Sequence, residues 1–83
     1  MELEDAYTTG EFAKMCKVTV KTLLHYDKVG VFRPERIDPY NKRRYYLESQ
    51  LTKFEIVRLL KELNFSLQDI KKIDFDKNLS DVI

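Results

Sequence analysis

Lys21, Thr22, His25 and Lys28 recur at spacings of three and four residues, and each ends in a cationic or hydrogen-bonding group. On a helix that spacing gathers side chains on one side, with Tyr26 beside them. Further along, Lys42-Arg43-Arg44-Tyr45-Tyr46 packs three cations and two phenols into five consecutive positions. Ammonium, hydroxyl and imidazole tips suit base edges and phosphate oxygens, and guanidinium groups suit phosphates. A short polar helix fits a major groove, while a basic, aromatic hairpin grips the neighbouring backbone from the side. The chemistry that these residues point to is the reading of double-stranded DNA.

Catalytic chemistry finds no support. The sequence has no paired carboxylates, no nucleophile-base set and no phosphate-binding glycine loop, so no enzyme is expected. One cysteine, Cys16, and one histidine, His25, make a zinc site or another cofactor site unexpected and an internal disulfide impossible. Cys16 reads as a small half-buried residue in a turn. Its lone thiol suits a reducing cytosol, and a cytoplasmic location is expected. No apolar run approaches membrane-spanning length and the acidic start is unlike a signal peptide, so neither a membrane partner nor export is expected.

At 83 residues with a net charge of +1 the chain is small and nearly neutral, and such a domain buries only about 60% of the surface its unfolded form exposes. The charge is segregated, however. Residues 1–13 carry a net of −4, residues 14–44 hold nine Lys/Arg against three acids for a net of +6, and the remainder sums to −1. Salt screens beyond about 10 Å, so local charge sets the field a phosphate backbone meets.

These residues need elements to position them. Thr8 and Glu11 fit a capping box that starts a helix running to about Met15, with Phe12, Ala13 and Met15 as its buried face. Cys16-Lys17-Val18 turns the chain. Thr19 caps a second helix from Val20 to about Val29, closed by Gly30 in a left-handed conformation. Leu23, Tyr26 or Asp27, and Val29 return that helix to the core. Pro34 and Pro39 bar regular helix, and Asp38-Pro39-Tyr40-Asn41-Lys42 supplies a turn between extended segments at Arg36-Ile37 and Arg43–Tyr46. A third helix spans roughly Ser49 to Leu63. Its residues Ile56, Val57, Leu59, Leu60 and Leu63 sweep an arc of about 160°, wide enough to pack on two sides. Ser66 begins a fourth helix through Ile73, with Leu67 and Ile70 inward. Residues 1–73 therefore read as one domain, and 74–83 as a linker with the start of a truncated amphipathic helix at Leu79-Ile83.

In that order and spacing, the motifs Tyr7-Thr8-Thr9-Gly10-Glu11-Phe12-Ala13, Val18-Thr19-Val20-Lys21-Thr22-Leu23, His25-Tyr26-Asp27-Lys28-Val29-Gly30-Val31, Arg44-Tyr45-Tyr46 and Leu63-Asn64-Phe65-Ser66-Leu67-Gln68-Asp69-Ile70 resemble the DNA-binding domain of the MerR family of bacterial transcription regulators. The resemblance implies a mainly α, winged helix-turn-helix fold of four helices plus a two-stranded β-hairpin wing. It implies a homodimer in the full-length protein, formed by a coiled coil after the fourth helix. It also implies a palindromic promoter whose overlong spacer is bent and untwisted, so that RNA polymerase is a partner only indirectly. Thr19, Lys21, Thr22, His25 and Tyr26 match the recognition-helix positions, although Tyr26 reads equally as a core residue with its hydroxyl at the surface. Arg44 and Tyr45 match the wing, with Lys42 and Arg43 adding charge. Lys14, Lys61, Lys71 and Lys72 read as solvated helix faces, with one phosphate contact open to the third or fourth helix. Asp27 reads as a structural carboxylate that ties the wing or the next turn.

Four positions depart from the family pattern. Leu24 stands where Arg is usual, Lys17 where Gly is common, Lys42-Arg43 where Gly-Tyr is usual, and Leu47 in place of a Ser cap. The wing cations are expected to compensate for Leu24, Lys17 to adopt a left-handed backbone or a different turn, and the third helix to start at Glu48 or Ser49. The chain is expected to be part of a longer protein. Two other functions fit less of the sequence: a small excisionase-like architectural DNA-binding protein, and a protein-interaction module with the basic hairpin as a mere solvated surface.

Overall fold

Local side-chain chemistry starts three of the helices. Thr8 Oγ1 accepts from the Glu11 amide while Glu11 Oε1 accepts from the Thr8 amide, Thr19 Oγ1 accepts from the Thr22 amide, and Ser66 and Asp69 form a second reciprocal pair. Each satisfies amides that the first helical turn leaves unpaired, worth about 1 kcal/mol per cap. The computed structural model describes residues 6–73. They form β1 (Ala6–Thr8), α1 (Thr9–Cys16), α2 (Val20–Val29), β2 (Arg36–Ile37), β3 (Arg44–Leu47), α3 (Leu51–Glu62) and α4 (Leu67–Lys71). The expected helix at Leu79-Ile83 and the expected linker lie outside the described residues.

The turn between α1 and α2 is tight because Lys17 takes a left-handed conformation, φ 60° and ψ 42°. Gly30 does the same at the end of α2, with φ 83°. Both helices thus end within a single residue, which brings α2 across α1 as a helix-turn-helix.

The sheet is larger than the hairpin read from the sequence. Its order is β1-β3-β2, antiparallel throughout, with Tyr7 opposite Tyr46 and Ile37 opposite Arg44. Strand β1 supplies the third member. Three residues without alternating polarity give no strand signal of their own, and pairing with the distant β3 defines them.

The core is aromatic. The Phe12 ring stacks on Tyr46 at 4.7 Å and on Phe32 at 5.9 Å, and Phe54 meets Phe32 edge-on at 5.3 Å. Leu23, Val57 and Ile70 close around them.

Two expected buried faces need correction. On α1, Cys16 is buried and Met15 exposed, because at 100° per residue Cys16 falls between Phe12 and Ala13 while Met15 lies about 60° outside them. On α3, Phe54 and Val57 face the core whereas Leu59 and Leu63 are 53% and 59% exposed, so the wide apolar arc is half solvent-facing. That helix is entered through a 3-10 turn at Glu48–Gln50, where Gln50 Oε1 accepts from the Leu47 amide in place of the missing Ser cap. The fourth helix stops at Lys71 rather than Ile73, although Ile73 still packs against the core.

Candidate nucleic-acid interface

Helix α2 is oriented by what it buries. Leu23 is fully enclosed and Asp27 is only 6% exposed, and these residues, one turn apart, leave Lys21, His25 and Lys28 exposed with Thr22 partly so. Tyr26 is half-buried, its ring 6.3 Å from Phe54 and 6.4 Å from His25. The Thr19 hydroxyl is engaged as the helix cap and also lies 3.0 Å from the Thr22 hydroxyl.

Asp27 joins the helix to the hairpin. Its Oδ2 accepts from Arg44 Nε at 2.6 Å and its Oδ1 from Arg33 Nε at 3.1 Å. A buried carboxylate flanked by two guanidinium groups holds β3 at a fixed distance from α2 through charge-assisted hydrogen bonds. The tie expected of Asp27 is therefore present, and Arg44 is committed to it.

The hairpin tip is rigidified by its own polar groups. Asp38 Oδ1 accepts from the amides of Tyr40 at 2.8 Å and Asn41 at 3.2 Å, and Asn41 Oδ1 accepts from the Arg43 amide. The Tyr40 amide, and then the Asn41 amide, hold the Asp38 carboxyl below the ordinary carboxylate range. Lys42 turns the chain at φ 63° and sends Nζ to the Pro39 carbonyl at 3.0 Å. Among the described residues the Arg43 guanidinium has no partner, which leaves it free for an anion.

Two depressions flank α2. One, of about 370 Å³, is lined by Thr19, Lys21, Thr22, His25 and Tyr26 together with Lys61 and Leu67. The other, of about 390 Å³, brings Lys42, Arg43 and Arg44 to Val20, Leu24 and the start of α1 at Thr8, Thr9 and Gly10. All five expected recognition-helix residues thus meet in one hollow and three of the four expected wing residues in the other. Tyr45 lines neither; it is half-buried in the middle strand, between Thr8 and Arg36. Lys61 joins the first hollow without having been singled out from the other helix lysines, because its place beside α2 depends on tertiary packing.

Tyr46 is the correction at this site. Grouped in the sequence with the basic aromatic hairpin, it lies in the core, and its hydroxyl has no partner among the described residues. Alternation along β3 turns it to the opposite face from Tyr45. Burial, reinforced by the Asp27 charge, pushes its pKa to about 12. Burial likewise lifts the Cys16 thiol to about 11, leaving it protonated and unreactive. Among the described residues no group of three His, Cys, Asp or Glu could hold a metal, and no helix is long and apolar enough to cross a membrane.

Comparison with known proteins gives a consistent result. A family model described as "MerR HTH family regulatory protein" matches residues 7–74. The chain is 44% identical over 70 residues to the multidrug-efflux transporter 2 regulator of Bacillus subtilis (strain 168), an alignment covering 84% of this chain and 25% of that protein. It therefore spans about a quarter of that regulator's length. Among solved structures, it superposes on HiNmlR, a MerR family regulator lacking the sensor domain, bound to promoter DNA. The TM-score is 0.73 at 31% identity, covering 81% of this chain and 52% of that one. The EcmrR-DNA complex in EcmrR-RPo gives a TM-score of 0.70 at 30% identity, covering 92% and 34% respectively.

Proposed function

The chain belongs to the MerR HTH family of regulatory proteins, and from that premise we propose that it is the DNA-binding part of a cytoplasmic transcription regulator. It binds a palindromic promoter as a homodimer and distorts the spacer, acting on RNA polymerase indirectly. The observation that carries this reading is the pair of hollows beside α2, one holding Lys21, Thr22, His25 and Lys61, the other the wing cations. A groove-sized helix with donors on both sides is the arrangement that places base contacts at the centre and phosphate contacts at the rims. Two structural neighbours described as DNA complexes support it. Nothing in these findings favours an excisionase-like architectural binder.

In this reading Lys21, Thr22 and His25 face base edges, while Lys42, Arg43 and Tyr45 engage the backbone. Thr19 and Tyr26 set the position of the helix and offer hydroxyls at its margin, and Arg44 holds the wing through Asp27. Selection from a randomised duplex pool tests it. Enrichment of a palindrome is expected, with Lys21→Ala and His25→Ala each shifting the preferred sequence. A pool that yields no enriched sequence would refute sequence-specific recognition.

A further inference from the structure

Leu24 and Val20 are branched aliphatic side chains left 40% and 42% exposed on the recognition helix. They lie one turn apart on a single flank, the one that faces the wing, and they line one hollow together with Lys42, Arg43 and Arg44 of the wing and Thr8, Thr9 and Gly10 at the start of α1. Neither packs in the core, whose α2 contributions are Leu23, Tyr26 and Val29. The two aliphatic side chains themselves carry no hydrogen-bonding group, so a polar base edge set against them would lose its water without a replacement bond.

Resting on the DNA-binding reading above, we propose that Leu24 and Val20 form an apolar base reader that takes the C5-methyl group of a thymine in the major groove, while Lys42 and Arg43 hold the adjoining backbone. Thymine is the one base that carries a methyl group on its major-groove edge; cytosine has only a hydrogen at that position, and adenine and guanine present acceptors and an amine. Charge complementarity selects the occupant: the same hollow carries cations for the phosphates and, next to them, aliphatic carbon for the methyl. The departure at Leu24 thus changes what is read instead of merely removing a charge. Leu24 becomes a specificity-determining residue, and the wing supplies the backbone attraction that an arginine would have given.

The test uses the 83-residue chain and the duplex it enriches from a randomised pool. Each dT is replaced in turn by deoxyuridine, which removes only the methyl group, and affinity is measured by fluorescence anisotropy. Wild type is expected to lose about fourfold at one dT per half-site, the worth of a single buried carbon group. The Val20→Ala/Leu24→Ala double variant is expected to bind dT and dU duplexes equally. Leu24→Arg is expected to lose the same discrimination while its log-log salt slope steepens by about one unit. If every dU duplex binds wild type as well as its parent, or if the double variant keeps the discrimination, the apolar reader is overturned while DNA recognition stands. A pool that enriches no duplex removes the underlying reading instead.

Discussion

Asp27 shows how one buried residue can fix the spacing between a helix and a strand. Its carboxylate holds Arg33 and Arg44 at 3.1 and 2.6 Å, and hydrogen bonds to charged groups are each worth about 1.5–3 kcal/mol. Asp27→Asn keeps the shape but replaces one acceptor oxygen by a donor that faces a guanidinium. It is expected to lower stability by about 1.5–3 kcal/mol, read as a fall in Tm, and to speed amide exchange across β2 and β3 before that of α1. Unchanged exchange in the hairpin would show that the sheet, and not Asp27, holds the wing. Tyr46 supplies the opposite case, a buried hydroxyl with no partner. Tyr46→Phe is expected to be neutral or to stabilise by up to about 1 kcal/mol at pH 7. The sign of the pH dependence follows from the raised values, about 11 for Cys16 against 9.0 and about 12 for Tyr46 against 10.0. The unfolded chain releases these protons first, so stability is full below pH 9 and falls as pH climbs from there towards 12. Urea unfolding of wild type and Tyr46→Phe across that range checks it, since the variant should retain only the Cys16 part of the fall.

The element boundaries were legible wherever a single side chain sets them. Thr8, Thr19 and Ser66 cap helices as their types and spacing to Glu11, Thr22 and Asp69 require, because capping is chemistry between residues three apart. What depended on distant partners was not legible. Strand β1 exists through β3, and Phe54 enters the core because α3 lies against α1, while the more conspicuous Leu59 and Leu63 turn outward. The site divides in the same way: the polar face of α2 follows from its period, whereas the roles of Lys61 and Leu24 depend on which element lies alongside. Two left-handed residues give an element-scale prediction of opposite signs. Lys17, at φ 60°, bears a Cβ in a region that costs L-residues about 1–2 kcal/mol, so Lys17→Gly is expected to stabilise by about 0.5–1 kcal/mol after the entropy that glycine loses. Gly30, at φ 83°, would place a Cβ 3.3 Å from Lys71 Cε, and Gly30→Ala is expected to cost about 1 kcal/mol or more. Urea midpoints at unchanged m-values measure both.

For the molecule as a whole, a net charge of +1 conceals a central segment, residues 14–44, with a net of +6. A duplex lying along α2 meets that segment within the roughly 10 Å over which charge is felt at 0.1 M salt, so binding should weaken steeply with salt despite the near-neutral total. The two hollows lie on opposite flanks of α2, with Lys61 in one and Arg43 in the other. A duplex centred on the helix must present a backbone strand to each. Each neutralised phosphate contributes about 0.9 to the log-log salt slope, so Arg43→Ala and Lys61→Ala should each flatten it by about one unit, with Tm unchanged. If the two cations serve different strands, as their separate hollows propose, their effects should add, and the double variant should lose about two units. Arg44→Ala should behave differently, lowering Tm as well as affinity, because its guanidinium is engaged by Asp27. Anisotropy titrations from low to moderate salt separate these outcomes. Were Lys61→Ala to leave the slope unchanged while Arg43→Ala lowered it, the duplex would engage the wing flank alone, and α2 would lie across the groove instead of along it.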